Sequence, residues 1–511
     1  GLRKFDFLGL TNLSVLADSV VRVKKRLGAA IDLDRLPLDD KKTYEMLSRG
    51  ETLGVFQLAG GGITTYLVDL RPTSIHDINA MVALYRPGPM AFIPAYIERK
   101  KNPKLVKYLD PRMELILKNS YGVITYQDDV LEIAIKIAGY SWLEADKFRK
   151  AMGKKIPKEM AAQKEKFTKG CVAHGMKKGD VQKLWEQIET FAAYGFNKAH
   201  AASYGNLAYK TAYMKANFPV DYMAAILTAD AGDVERIAEV VAECKRMGIK
   251  ILPPSVQSSY GNFTVIDDTT IRFGLYSIKN FGTGVGDSII TAREKGAVFS
   301  DIADFLVRIT GPSGLGAGNN LNKKSLEVLI QSGALDELGE RGSMLTHVET
   351  LLEYHREHVK VPIDQHSLFG SHGARATLRL PNSEAASLDQ RLIWEKELLG
   401  LYVSGHPLDK HKEKFTDPKK SIEHAKENML GVETVVAGFV ESVRVNMTKK
   451  GERMAFLKLT DFSGSIELVA FPRTYKEYEK SLVPSVCIAV KGKISERNGE
   501  ASFVVERAKT L

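Results

Sequence analysis

Hydrophobic spacing constrains this chain more than any other property. From about Asn12 to Met247 almost every segment places apolar residues three and four apart, the period of an amphipathic helix. From Thr434 onward the pattern changes to alternation, the period of a half-buried strand. One layer of structure cannot satisfy both periods. The chain therefore reads as multidomain, mainly α with α+β parts. Its 511 residues leave room for three or four domains with ample core.

The strand-rich end has a definite order. Thr434–Asn446, Arg453–Asp461, Ser465–Phe471, Cys487–Ile494 and Ala501–Arg507 read as five strands. Turns at Lys449-Lys450-Gly451 and Asn498-Gly499 join two of the pairs. A helix over Thr474–Lys480 follows the third strand, which is the order of an OB-fold β-barrel. OB barrels hold single strands with cations and stacking rings, which makes Arg444, Lys449, Lys450, Arg453 and Phe456 candidates for DNA contact. Many such barrels bind protein instead.

The helical part opens with Arg3–Leu10, a short strand-like piece in which Asp6 sits between Phe5 and Phe7. A carboxylate flanked by bulky apolar groups is costly unless it is paired or binds a cation. Helices are expected over Asn12–Leu27, Ser74–Leu84 with Ser74 as cap, Pro103–Asn119, and Asp128–Ala138 after an extended Tyr121–Gln127. Gly60 to Gly62 form a glycine-rich turn before a helix; the run matches no phosphate-loop pattern. Arg86 stands in the rigid turn Tyr85-Arg86-Pro87-Gly88-Pro89 at a helix end.

Two basic clusters follow. Asp146 to Lys169 holds nine Lys/Arg against three Asp/Glu. Ser141 and Glu144 have capping-box spacing, so the helix they start carries Arg149, Lys150, Lys154 and Lys155 near its end. The second cluster, Asn197, Lys198 and His200, follows the aromatic run Phe191–Phe196. Convergent cations suit a phosphate-rich ligand. A solvated helix face is the plainer reading of either cluster alone. The net charge of +10 favours polyanionic partners in general.

Ile251-Leu252-Pro253-Pro254 interrupts the helical pattern, and Phe263–Ile266 with Ile271–Leu275 reads as a hairpin. Ile278 to Gly286 then has helix-hairpin-helix spacing. There Gly282, Gly284 and Gly286 would let backbone N–H groups approach a DNA phosphate beside Lys279. A glycine-rich connector reads equally well. Helices are expected over Lys323–Ser332, Ser343–Val359 and Leu388–Gly405. The linker between the last two carries Gln365, Leu368 and Phe369 in a Q-x-x-L-F pentapeptide, an apolar anchor for a partner's pocket or for its own domain.

Three scattered cysteines fit a reducing, cytoplasmic setting and offer no metal spacing. There is no run of 18 apolar residues, so no membrane partner is expected. The chain starts with Gly inside a hydrophobic pattern, so a preceding portion is expected.

The stretches KFDFLGL, YRPGP, FRKAMGKK and YGFNKAHAASY, in this order, resemble the alpha subunit of bacterial DNA polymerase III, the C-family replicative polymerases. The resemblance covers the chain. It implies the end of a polymerase-beta-like palm (1–30), helical fingers (31–255), a clamp-binding domain with helix-hairpin-helix (256–370), a linker and helix (371–430) and an OB-fold domain (431–511). It implies a DNA-directed DNA polymerase that extends a primer by two-metal phosphoryl transfer. Asp6 would be one of three aspartates holding two Mg2+ ions, with Lys4 beside it as a catalytic contact. Arg149, Lys150, Lys154, Lys155, Asn197, Lys198, His200 and Arg86 fall in motifs that resemble contacts to the incoming dNTP. Gln365, Leu368 and Phe369 resemble a sliding-clamp motif. Primed DNA and single-stranded template, the clamp, clamp-loader and proofreading subunits would be partners.

Two departures stand out. The family's two earlier aspartates are not in this sequence, so the chain as given is expected not to polymerise alone. AGGGI stands after FQL where relatives commonly read ESRGM. A non-catalytic DNA- and clamp-binding module and an error-prone polymerase paralogue are the alternatives.

Overall fold

The computed structural model describes residues 9–154, 157–192, 195–309, 321–359, 378–448, 450–497 and 500–511. Asp6, Lys4, Lys155, Lys449, Gln365, Leu368 and Phe369 lie outside the described residues. The chain forms two compact units. The first comprises 1–230, 239–252 and 263–272, and the second the remainder.

The first unit is helical and holds two apolar cores. One gathers around the helices Lys41–Ser48, Gly61–Leu70, Ile75–Leu84 and Ile93–Lys101, with Tyr44, Leu47, Leu67, Met81, Leu84 and Tyr96 inside. The 20-residue helix Lys198–Asn217 lies across them. It buries Ala201, Gly205, Ala208, Tyr209, Ala212 and Ala216, a stripe spaced three and four apart. Gly205 is required there: a methyl group on it would stand 1.8 Å from Asn79 Oδ1 on the helix Ile75–Leu84. The second core is built by Gln127–Lys136, Trp142–Lys154, Pro157–Ala173 and Lys178–Ala192. Phe148, Phe167 and Trp185 meet inside it at 5.6 to 5.8 Å.

Most expected helices form, and three depart. Pro103–Asn119 is broken into the turns Pro103–Leu105, Pro111–Met113 and Lys118–Ser120 around the single helical turn Glu114–Leu117. Pro111 lacks the N–H that a continuous helix would need. Ser343–Val359 divides at His347 into Arg341–Thr346 and Val348–Val359. The expected helix to Gly405 stops at Leu399, where Gly400 takes the left-handed conformation. Ser74 makes no side-chain cap. The buried Asp77 carboxylate accepts the Thr73 N–H at 2.9 Å instead, and also the Tyr96 hydroxyl and the Lys100 ammonium.

The interruption at Ile251 is also a strand. Lys250–Leu252 pairs in parallel with Thr270–Arg272, which pairs antiparallel with Thr264–Asp267. In the second unit the last 79 residues close into a five-stranded barrel, with strands in the order Glu433–Met447, Arg453–Thr460, Ser465–Ala470, Glu500–Thr510, Cys487–Arg497. Ser465–Ala470 and Glu500–Thr510 run parallel. The 15-residue strand Glu433–Met447 pairs with both Arg453–Thr460 and Cys487–Arg497, with its register shifted between Val440 and Ser442. The helix Pro472–Tyr478 follows the third strand, as the sequence order requires.

Candidate nucleotide and nucleic-acid interface

Arg86 is held at the end of the helix Ile75–Leu84. Its Nε donates to the Ala83 carbonyl at 3.1 Å and its guanidinium carbon stands 4.2 Å from the Phe196 ring centre. Burial lowers its pKa. Phe196 begins a line of rings. It meets His200 at 5.2 Å, His200 meets Tyr204 at 4.2 Å, and Tyr204 meets Phe56 at 5.2 Å. His200 and Tyr204 are one helical turn apart on Lys198–Asn217, which places both rings on one face. Gly62 comes up against the same turn: a methyl group on it would stand 2.3 Å from the Tyr85 hydroxyl. Gly62 therefore permits the close approach of Tyr85, the neighbour of Arg86, in the first turn of the helix Gly61–Leu70.

Asn197 is the N-cap of the helix Lys198–Asn217, and its side-chain oxygen accepts the His200 N–H at 2.8 Å. Lys198 is half-exposed and has a tethered base. Its backbone N–H donates to Asp128 Oδ2 at 2.8 Å. Its ammonium lies 3.8 Å from Asp129 Oδ1 and 5.6 Å from the Tyr126 ring centre. The Asp129 carboxylate is 1% exposed and accepts the Thr125 and Tyr126 N–H groups at 3.0 and 2.9 Å. Burial outweighs these bonds and pushes its pKa up to about 6. The structure thus brings Arg86, Asn197, Lys198 and His200 together through Phe196 and the Tyr126 start of the helix Gln127–Lys136.

The other cluster is built differently. The capping box forms: Ser141 N–H donates to Glu144 Oε2 at 2.9 Å, and the Glu144 N–H reaches Ser141 Oγ at 3.4 Å. Ala145, Phe148, Ala151 and Met152 turn into the core, leaving Arg149 and Lys150 outward. Asp146 takes both, with Arg149 at 2.8 Å and Lys150 at 2.6 Å, and this lowers the Asp146 pKa. Lys154 ends this helix.

In the second unit, Gly282 is the extended N-cap of the helix Thr283–Gly296. Gly282 and Lys279 are exposed, and Lys279 donates its backbone N–H to Leu398 O at 3.0 Å. Gly286 is buried, with room for a methyl group denied by Tyr276 at 2.8 Å, so its role is packing of the hairpin. The Gly284 carbonyl accepts the Ser288 hydroxyl at 3.0 Å. On the barrel, Arg444 and Phe456 are cross-strand partners, and the guanidinium lies 5.6 Å from the ring centre. Both line a groove with Ser442, Lys458, Glu467 and Lys426. Glu467 stands 3.9 Å from Arg444. Arg453 leans on Tyr475 and pairs with Glu479 at 2.9 Å, outside that lining. Lys450 is exposed in the turn between the first two strands.

Sequence reading missed Tyr126 to Asp129, Tyr204 and Phe56. Two acids in the first turn of a helix, directly after an aromatic, were the available signal for the former. It also missed Lys458, which the two-residue period places on the face of Phe456.

A helical unit and a closed five-stranded barrel in OB-fold order define the class: a multidomain, mainly α chain that ends in an OB-type barrel. Residues 12–175 match the bacterial DNA polymerase III alpha subunit finger domain, 248–344 a helix-hairpin-helix motif, and 434–511 an OB-fold nucleic acid binding domain. The chain is 39% identical to DNA polymerase III subunit alpha of Thermus aquaticus, over 100% of this chain and 42% of that protein. For the same subunit of Saccharopolyspora erythraea the values are 40%, 99% and 44%, and for Deinococcus radiodurans 38%, 99% and 39%. The chain resembles the bacterial DNA polymerase III alpha subunit along its whole length and spans about two fifths of these relatives.

Among the described residues no group of His, Cys, Asp or Glu side chains could hold a metal ion, and no helix is long and apolar enough to cross a membrane.

Proposed function

We propose that this chain supplies the nucleotide-gripping and DNA-holding parts of a replicative DNA-directed DNA polymerase. The observation that carries the reading is the continuous line Arg86, Phe196, His200, Tyr204, with Lys198 beside it. Cations suit the phosphates of a dNTP and rings suit its base and sugar. The transferred phosphoryl group needs chiefly positioning and charge stabilisation, which fixed cations provide. Arg149 and Lys150 join this grip when a polyanion displaces them from Asp146. Asp6, with two aspartates outside this sequence, would hold the two Mg2+ ions that activate the primer 3′ hydroxyl and stabilise the leaving pyrophosphate. The exposed Gly282 end of Thr283–Gly296, with Lys279, would take duplex phosphate, and the Arg444–Phe456–Lys458 groove the single-stranded template. Gln365, Leu368 and Phe369 would dock on the sliding clamp. The clamp-loader and proofreading subunits would complete a cytoplasmic assembly.

Photolabelling of the 511-residue chain with 8-azido-dATP and Mg2+, followed by peptide mapping, should mark the peptides that contain Arg86 and Phe196–Tyr204. Labelling confined to other peptides overturns the assignment. In the polymerase that carries this chain, Asp6→Asn should abolish incorporation and leave primed-template binding nearly intact; retained incorporation removes the metal role of Asp6.

A further inference from the structure

The segment Gly195–His200 carries three of the candidate contacts, and four consecutive residues of a distant element fasten it. Tyr126 and Phe196 form an isolated parallel bridge. Gln127 donates its backbone N–H to Phe196 O at 2.9 Å and its side-chain Nε2 to Gly195 O at 2.9 Å. Gly195 has no space for a side chain, since a methyl group on it would stand 2.4 Å from Gln127 Cγ. Asp128 accepts the Lys198 backbone N–H, and Asp129 faces the Lys198 ammonium while holding the Thr125 and Tyr126 N–H groups. The contacts that join the two segments span about 70 residues of sequence. Asp129 also anchors its own helix, but Gln127 and Asp128 spend their side chains on the other segment.

We propose that Tyr126-Gln127-Asp128-Asp129 is a latch that positions Lys198 and His200 for the triphosphate of the incoming nucleotide. None of the four needs to touch the nucleotide; they are positioning residues. Gln127 and Asp128 fix the backbone on both sides of Asn197, so the helix Lys198–Asn217 begins at one place only. Asp129 and the Tyr126 ring hold the ammonium of Lys198 on one side while leaving it half-exposed. A lysine stem left free would lose rotamer entropy at each binding event, and a pre-set stem loses less. The inference rests on the nucleotide-gripping reading above.

Two measurements on the 511-residue chain test it. The first is hydrogen exchange at the amides of Gly195–His200, read without any ligand. The second is the anisotropy of mant-dATP and of mant-deoxyadenosine with Mg2+. Asp128→Asn and Gln127→Ala should speed exchange at Gly195–His200 while the helix Gln127–Lys136 stays protected. Each should weaken mant-dATP about five-fold, the scale of one hydrogen bond's net worth, and leave mant-deoxyadenosine nearly unchanged. Combined with Lys198→Ala, Asp128→Asn should cost less than it does alone, because part of the latch's effect passes through the Lys198 ammonium while its hold on the Lys198 backbone and on His200 remains. Faster exchange with unchanged mant-dATP binding would assign the contacts to folding alone and overturn the proposal. Equal losses for both ligands overturn it as well. If a variant melts as a whole, Asp128→Glu and Gln127→Glu provide the same readings with milder changes. Failure of the unsubstituted chain to bind mant-dATP, with exchange at Gly195–His200 slow, removes the nucleotide reading itself and with it this role for the latch.

Discussion

The two basic clusters look alike in sequence and differ in how the fold holds them. Arg149 and Lys150 answer to Asp146, one turn back on their own helix. Lys198 answers to Asp128 and Asp129, 70 and 69 positions away, and stands beside a ring line that runs to Phe56. The first cluster is a helix surface with its charge locally balanced, and pairs of this kind are worth little. The second exists only after the N-terminal ends of the helices Gln127–Lys136 and Lys198–Asn217 have met. Charge density alone therefore does not identify a grip; cations fixed by tertiary contacts do.

That contrast can be broken in several places, and the largest effect belongs to the helix crossing beneath the second cluster. Gly205→Val would press against Asn79, and such overpacking costs about 1–3 kcal/mol or more. The transition temperature of the chain should fall clearly, and amide exchange should rise along Lys198–Asn217 before it rises in Trp142–Lys154. Equal loosening of both helices would show that the clusters do not depend on separate cores.

Next is the buried carboxylate. The Asp129 carboxyl is raised to about 6 in the fold from an ordinary 3.8, so between these values the folded chain binds more protons than the unfolded one. Its contribution is therefore fully present below about pH 4 and is lost as pH rises through 6, on the order of 2–3 kcal/mol. Denaturant unfolding at pH 4, 5, 6 and 7 should show this loss in the unsubstituted chain relative to Asp129→Asn. A difference between the two chains that stays flat with pH would contradict it.

Lys198→Ala should weaken mant-dATP about ten-fold, the scale of a hydrogen bond to a charged group. Arg149→Ala should do less. If Arg149→Ala costs more than Lys198→Ala, the ranking of the clusters inverts. Smallest of all, Asp146→Asn frees Arg149 and Lys150, and should tighten mant-dATP binding by at most about five-fold, the ceiling for an exposed pair. Fluorescence titration at low and raised salt would detect the change and its screening.

Much of the fold was legible. Hydrophobic period placed the long helices and all five barrel strands, because burying one face of an element writes that period into the sequence. The Ser141–Glu144 capping box was readable for the same reason: it is completed within four residues. Pro103–Asn119 misled because local apolar spacing survived while Pro111 forbade a continuous helix. The strand Lys250–Leu252 was hidden because three residues carry no period, and its partner Thr270–Arg272 lies 20 positions on.

The candidate site divided along the same line. Arg86, Asn197, Lys198 and His200 stood out as residue types, and their motifs carried the family resemblance. Nothing local could show that Arg86 would rest on Phe196, or that Tyr126 to Asp129 would fasten Gly195–Lys198. By itself the sequence determined where the long helices and the five barrel strands form, the order of those strands along the chain, and which segments hold the cations. Only the tertiary structure decided which cations are balanced on their own helix and which are held by partners from elsewhere. The physical reason is reach: periodicity and capping act over a few residues, whereas a cation's seat depends on carboxylates and rings that become its neighbours only when the cores close.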